Sequence, residues 1–346
     1  MAVRPATGTD RAAWDCFVRD RAGGNVLQAW GWGELKQGQG WRVLRLVGAA
    51  DEDGRPAAWR GVCQVLSRSL GGGVRYAYAP RGPALADGGD GEAAVRILSG
   101  AARQLRRERV VRFSCDPEWP VGRPETAALL ARCRLLPLGF DVQHRHTWLV
   151  DLAGGEAALW ARLPAGTRRN VRLAERSGVV VERRHDPEAV DAFFPLYAET
   201  VGRQGYVGRP RAYLRELVAA LGAAVFLARL DDQPVAGAIA LAFGPRCCYL
   251  FGGTRGIGGG SRPGYPLHLA VMRWGIARGC TVYDMWGMPR RFDPADPHHG
   301  YAVFKTRWGG RIARHTGLLE VPLWPGADPL LRRIEALAAQ RRPLLT

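Results

Sequence analysis

One order of segments occurs twice along this chain, and that repetition limits the possible folds more than any single motif. In the first half a helical stretch, "NVLQAWGWGELKQ", leads to a strand "WRVLRLVG", a charged turn "DEDGRP" and two further strands, "AAWRGVCQVLSRSL" and "VRYAYAPRGP". A polar "DGGDGE" precedes a segment from Ala93 to Arg107 in which Val95, Ile97, Leu98, Ala101 and Leu105 recur at helical spacing, and the strand "VVRFSCDP" follows. "FDVQHRHTWLVDL" closes the half as a strand. In the second half Asp186 before Pro187 reads as a helix start, with Val190, Phe193, Tyr197 and Val201 at helical spacing. "YLRELVAALG" is a second helix, "AVFLARLDDQPVAGAIALAFGPRCCYLFGGT" a strand meander, "YPLHLAVMRWGIARG" a helix and "TVYDMWGM" a strand. With 346 residues, the expectation is two similar α/β units. The first spans residues 1–147 plus 317–346, with a last helix at 329–340 packed back on it; the second spans 148–316.

Composition narrows the function. No apolar run approaches the roughly 18–20 residues needed to span a bilayer, and "MAVRPATGTDRAAWDC" lacks a signal-peptide core, so the cytoplasm is expected. Seven scattered cysteines without a CxxC pair read as reduced thiols, and the histidines ("HRH", "HH") lack metal-ligand spacing, so no metal is expected. A net charge of +17 suits polyanions such as nucleic acid, anionic lipid or phosphorylated substrates, although arginine enrichment from a GC-rich coding sequence accounts for it equally well.

Two stretches carry phosphate-binding potential. In "LPAGTRRNVRLAERSGVVVE", Arg168, Arg172 and Arg176 share one helix face, where like charges repel by a few tenths of a kcal/mol per pair, about 0.2–0.5. A phosphate partner relieves that repulsion; a solvated basic face is the plainer reading. Arg255, Gly258 and Gly260 spell R-x-x-G-x-G, the pattern by which GNAT-fold acetyltransferases offer backbone N–H groups to the pyrophosphate of coenzyme A; a plain loop is the other reading.

Lysine is nearly absent. Of 49 basic residues only Lys36, in "WGWGELKQGQGW", and Lys305, in "YAVFKTRWGG", are lysines. Drift toward arginine spares a lysine where a compact ammonium fits and a planar guanidinium does not, and chance is the other explanation. Phe304 and Trp308 flank Lys305 and are expected to dry its site, strengthening its field on a developing negative charge.

"NVLQAWGWGELKQGQGW", "YAPRGP", "RRNVRLAERSGV", "ETVGRQGYVGRPRAYLREL", "YLFGGT", "YDMWGM" and "YAVFKTRWGG" occur in the order and spacing of the Fem (FemABX) aminoacyltransferases, which the chain resembles over nearly its whole length. The resemblance implies an α/β (α+β) fold of two GNAT-like domains with a cleft between them, in the smaller, FemX-like form without a helical arm. It implies transfer of an amino acid from aminoacyl-tRNA to the stem peptide of a peptidoglycan precursor, without a cofactor. The first domain would bind the acceptor, a UDP-MurNAc-peptide or its lipid-linked form at the inner membrane surface, and the second the aminoacyl-tRNA; a monomer is expected. Lys36 matches the family lysine at the acceptor diphosphate, and Arg209 and Tyr213 the pair that joins it. Tyr78 of "YAPRGP" and Tyr249 match acceptor-side aromatics, and Phe251 stands where tyrosine is common. Phe304 and Lys305 match the pair at the tRNA's terminal adenosine and the transition state, and Asp116 an aspartate near the acceptor amine. A coenzyme-A-dependent N-acyltransferase, transfer to a non-peptidoglycan acceptor, and a basic RNA- or surface-binding protein are the alternatives.

Overall fold

The apolar stripe from Ile97 to Leu105 forms a helix whose Ile97, Leu98, Ala101 and Leu105 are buried against the first sheet. The computed structural model describes residues 1–51, 53–71, 73–86, 90–255, 260–289, 292–294 and 299–323. These divide into two units, Met1–Arg145 with the segment from Arg314 onward, and His146–Ala313. The helix expected at 329–340 and Gly258 of the glycine pattern lie outside the described residues.

The first unit contains β1 (Ala2–Pro5), α1 (Arg11–Asp20), α2 (Trp30–Gly38), β2 (Arg42–Ala49), β3 (Trp59–Gly71), β4 (Val74–Ala79), β5 (Ala84–Leu85), α3 (Gly91–Arg107), β6 (Val110–Cys115), α4 (Pro124–Arg132) and β7 (Leu136–Pro137). The second contains β8 (His146–Asp151), α5 (Gly155–Arg162), α6 (Ala165–Arg176), β9 (Val180–Arg184), α7 (Ala189–Gln204), α8 (Arg211–Leu221), β10 (Ala224–Leu230), β11 (Gln233–Phe243), β12 (Arg246–Thr254), α9 (Gly264–Ala277), β13 (Val282–Gly287), α10 (His299–Thr306) and β14 (Arg311–Arg314). A last strand, β15 (Leu319–Val321), returns to the first sheet and pairs with both β6 and β7. The sheet orders are β1-β2-β3-β4-β6-β15-β7, with β5 on β3, and β14-β8-β13-β12-β11-β10-β9.

The repetition read from sequence is a shared topology. In each unit three antiparallel strands, β2-β3-β4 or β10-β11-β12, are followed by a helix and then a strand parallel to the third. A parallel neighbour requires a crossover, and α3 and α9 supply it. In the second unit β12 and β13 pair only from Arg246 to Cys248 against Val282 to Asp284, so the rest of β12 leaves β13.

Three local expectations shift. "FDVQHRHTWLVDL" is a strand only from His146, because the Gln143 N–H and the His144 carbonyl are bound to Asp116 and Arg81 side chains instead of a ladder. Helix α2 starts at Trp30, since the Asn25 side chain accepts the Leu27 N–H and holds Val26–Gln28 in a separate 3-10 turn. Asp186 does accept the Ala189 N–H at 3.0 Å, but α7 begins at Ala189.

Candidate active site

Lys305 lies on α10 and is buried. Its Nζ donates to the Gly287 carbonyl at 2.6 Å and sits 4.9 Å from the centre of the Tyr301 ring, one helical turn back. Burial pulls this ammonium down to about 7, and the nearby Asp284 carboxylate offsets part of the shift. The Gly287 carbonyl is aimed by a bulge in β13. Between Asp284 and Gly287 the pairing with β8 slips, Trp286 adopts φ +63, and buried Asp284 accepts the Trp286 N–H (2.8 Å) and the Thr147 hydroxyl. The Arg246 guanidinium donates to the other Asp284 oxygen at 3.2 Å. "YDMWGM" is therefore a carboxylate-pinned bulge that presents one carbonyl to one ammonium.

Phe304 and Trp308 do not sandwich that ammonium. They pack on His268 of α9, at 5.2 and 5.8 Å, and on Tyr265, at 5.4 and 5.7 Å. His268 faces Tyr249 at 4.7 Å, and its Nδ1 lies 2.7 Å from the Tyr283 hydroxyl. Burial, with Lys305 close by, pushes the imidazole down to about 3, so it is neutral. These rings form a dry wall behind Phe304, while Tyr301 provides the ring beside the ammonium. Tyr301, His268 and Asp284 were not singled out in the sequence; reading 299–306 as a helix would have placed Tyr301 and Lys305 on one face.

Tyr249 and Phe251 part company. Leu250 is an extra residue in the pairing of β12 with β11, and across it Tyr249 turns to His268 while Phe251 turns to Tyr197 of α7, at 5.8 Å. The glycines of "YLFGGT" permit close packing: a Cβ on Gly253 would lie 2.4 Å from the Leu196 and Tyr197 backbone. Arg209 and Tyr213 come together, the guanidinium 5.4 Å from the ring centre, and the Tyr197 hydroxyl accepts the Arg209 N–H at 2.9 Å.

In the first unit Lys36 is buried at the end of α2, its Nζ 5.2 Å from the Trp32 ring centre and 3.4 Å from Gln39 Oε1. Its carbonyl accepts the Trp41 N–H, and Trp41 packs on Tyr76, in a cluster with Tyr78 and Val142. Asp116 is fully buried and accepts from the Tyr78 hydroxyl (2.6 Å), the Arg81 N–H (2.7 Å) and the Gln143 N–H (3.2 Å). Burial pushes its carboxyl up to about 6. With both oxygens occupied, Asp116 acts on the loops it ties together, and Tyr78 is one of its donors.

The basic face of α6 divides by role. Arg168 donates to the Trp160, Ala161 and Leu163 carbonyls and so closes the end of α5, Arg172 lies over the Trp160 ring at 5.4 Å, and Arg176 is exposed. Arg255 extends from β12, its N–H bound to the Val235 carbonyl. The next residue along α6, Arg169, instead lines a cavity of about 590 Å3 together with Pro164, Gly166, Thr167, Asn170, Arg262, Tyr265, Phe304 and Arg307. Arg262 donates to Asn170 Oδ1, and Arg307 lies 3.4 Å from the Tyr265 hydroxyl; none of the three arginines has a carboxylate partner among the described residues. Three guanidiniums, the start of α6 and two aromatic rings suit a phosphate-bearing ligand with a flat ring. The arginines of the stripe and the cavity-lining Arg169 are thus carried by the same helix, α6.

The acetyltransferase (GNAT) domain family matches residues 161–306, which hold α10, the β12/β13 divergence and every lining residue of the cavity except Arg307. That stretch is thus similar to a GNAT acyltransferase domain. The chain's likeness extends further: a lipid II:glycine glycyltransferase of Staphylococcus aureus (strain USA300) is 23% identical, covering 96% of this chain and 94% of that one. The corresponding glycyltransferase of Staphylococcus saprophyticus is also 23% identical, covering 91% and 93%. The crystal structure of FemX superposes with a TM-score of 0.84 at 22% identity, covering 97% of this chain and all of that one. The chain resembles the Fem aminoacyltransferases from end to end, has the FemX fold, and is an enzyme of the aminoacyltransferase class.

Proposed function

We propose that the chain transfers an amino acid from aminoacyl-tRNA to the stem peptide of a peptidoglycan precursor, building an interpeptide bridge. The observation that carries this reading is the arrangement on α10: Lys305 holds a buried ammonium, and its neighbour Phe304 lines a cavity with three arginines. An aminoacyl ester on a tRNA 3′ end is already activated, so an acceptor amine attacks it without an enzyme nucleophile. The protein supplies alignment and a cation for the tetrahedral oxyanion. Lys305 has donors beyond the one spent on Gly287, and the arginine-lined cavity suits the phosphates and terminal base of the tRNA end. The two staphylococcal relatives act, by their names, on lipid II, which favours a lipid-linked acceptor. Among the described residues no helix is long and apolar enough to cross a membrane, so the chain would meet that acceptor at the surface.

Lys305→Met tests the reading. Transfer from charged tRNA should fall by about two orders of magnitude, the scale for losing one oxyanion donor, while acceptor binding survives. Wild-type rates in this variant would sink it. The GNAT match over 161–306 favours a second reading, coenzyme-A-dependent acylation; acetyl-CoA binding abolished by Arg255→Ala, without any transfer from tRNA, would select it.

A further inference from the structure

At one end of the first sheet, where β2, β4 and β6 begin and β3 finishes, apolar and basic side chains stand together on the surface. Across the pairing of β3 with β4, Gly71 faces Val74 and Ser69 faces Arg75, so Leu70 is an extra residue outside the ladder. Leu70 and Val74 are 45% and 36% exposed, at a hairpin end where polar side chains are the rule. Arginines surround the pair. Arg42 opens β2 opposite Ser67, Arg68 and Arg75 flank the hairpin end, and Arg107 and Arg109 lead from α3 into β6, whose Val110 pairs with Arg75. Arg42, Arg68, Arg107 and Arg109 are exposed, and among the described residues none of the five has a carboxylate partner. Half-buried Glu108 is the one acidic side chain on these segments. Elsewhere surface arginines sit in ion pairs, as Arg96 does with Glu92 and Arg215 with Glu188. Two exposed aliphatic side chains ringed by arginines complement a surface that offers hydrocarbon beneath a layer of phosphates. RNA would engage the arginines and leave Leu70 and Val74 unused.

We propose that this end of the first sheet rests on an anionic membrane surface, with Leu70 and Val74 entering the boundary between headgroups and acyl chains and the arginines meeting lipid phosphates. The use made of that contact rests on the acceptor reading above. The Lys36 carbonyl accepts the Trp41 N–H at 3.1 Å, Arg42 follows Trp41 in the chain, and the Arg68 guanidinium lies 5.8 Å from the Trp41 ring centre. Trp41 thus stands between Lys36 and the arginines of this face, a short path from headgroup level to the residue matched to the acceptor diphosphate.

The test is co-sedimentation with vesicles of phosphatidylcholine, alone or mixed with phosphatidylglycerol, without donor or acceptor. It compares wild type, Leu70→Ser with Val74→Ser, and Arg42→Gln with Arg68→Gln and Arg109→Gln, each checked by a thermal melt. Wild type should bind the phosphatidylglycerol vesicles and release them as salt rises. The arginine variant should bind about a hundredfold more weakly, at roughly fivefold for each arginine, and the aliphatic variant about tenfold more weakly. All should melt alike, because the replaced side chains are exposed. Wild type that binds neither vesicle, or variants that bind as wild type does, overturn the proposal. So does an arginine variant that loses tRNA affinity yet keeps vesicle binding, which would give the face to RNA. Transfer assays keep the two readings apart. The aliphatic variant should retain transfer to UDP-MurNAc-pentapeptide and lose transfer to a lipid-linked acceptor in vesicles. Wild type that sediments with vesicles but transfers to neither acceptor overturns the acceptor reading and leaves the membrane face standing.

Discussion

Lys305 enters the folded chain with its ammonium drawn from 10.5 to about 7, so between those pH values the unfolded chain holds more protons. This residue's contribution to stability therefore rises with pH across that window and is least favourable at and below pH 7. Lys305→Met should gain thermal stability relative to wild type as pH falls from 10 to 7. A gap independent of pH would show that the ammonium is solvated in the folded state. Asp116 titrates in the other sense. Its carboxyl, raised from 3.8 to about 6, gives a contribution that is present below 3.8 and lost as pH rises through 6. Asp116→Asn should flatten that decline. It should also cost about 1–3 kcal/mol at pH 7, because one amide oxygen cannot serve three donors. A positioning role puts the loss of transfer into KM; a proton-abstracting role would put it into kcat.

Two irregular strands, β12 and β13, shape the second unit around Tyr249 and Lys305. The bulge in β13 depends on Asp284, whose charge also supports the protonated form of Lys305. If Lys305 is the catalytic cation proposed above, Asp284→Asn should lower its pKa further and move the alkaline fall in transfer rate to lower pH; an unmoved profile would separate the bulge from that role. On β12, Gly253→Ala should cost at least about 1–3 kcal/mol in a urea unfolding midpoint, since the methyl meets α7 backbone that cannot rotate away. The regular parts of both units were legible in the sequence, because an apolar stripe such as Ile97–Leu105 or a short, mostly apolar run such as Gly61–Leu66 in β3 records burial directly. The bulges were not: Leu250 and Trp286 look like ordinary strand residues, and only cross-strand register reveals the extra position. For the same reason Lys305 was legible as a rare lysine and its partner, the Gly287 carbonyl, was not. Backbone groups leave no mark on composition. The cavity arginines were hidden in another way, since among 47 arginines nothing but geometry separates Arg169 from Arg168.

Across the whole chain the net charge of +17 predicts tRNA affinity that falls steeply with salt. The cavity lets that dependence be divided. Replacing Arg169 and Arg307 together with alanine should reduce the slope of log affinity against log salt by about 1.4, roughly 0.7 for each single-strand phosphate contact removed. An unchanged slope would place the tRNA elsewhere on the basic surface. The strand β15 has a consequence of a different kind. It sits between β6 and β7 in the first sheet, with Glu320 paired to Arg112 at 3.1 Å, yet it follows the entire second unit in the chain. While the protein is being made, the first sheet stays open at that place until the last strand emerges. At 5–20 residues per second that interval is on the order of ten to forty seconds, in which β6 offers an unpaired edge to any neighbouring chain. The unit begun first is the one finished last, and the ribosome's pace across the second unit sets how long the newborn protein is exposed to mispairing.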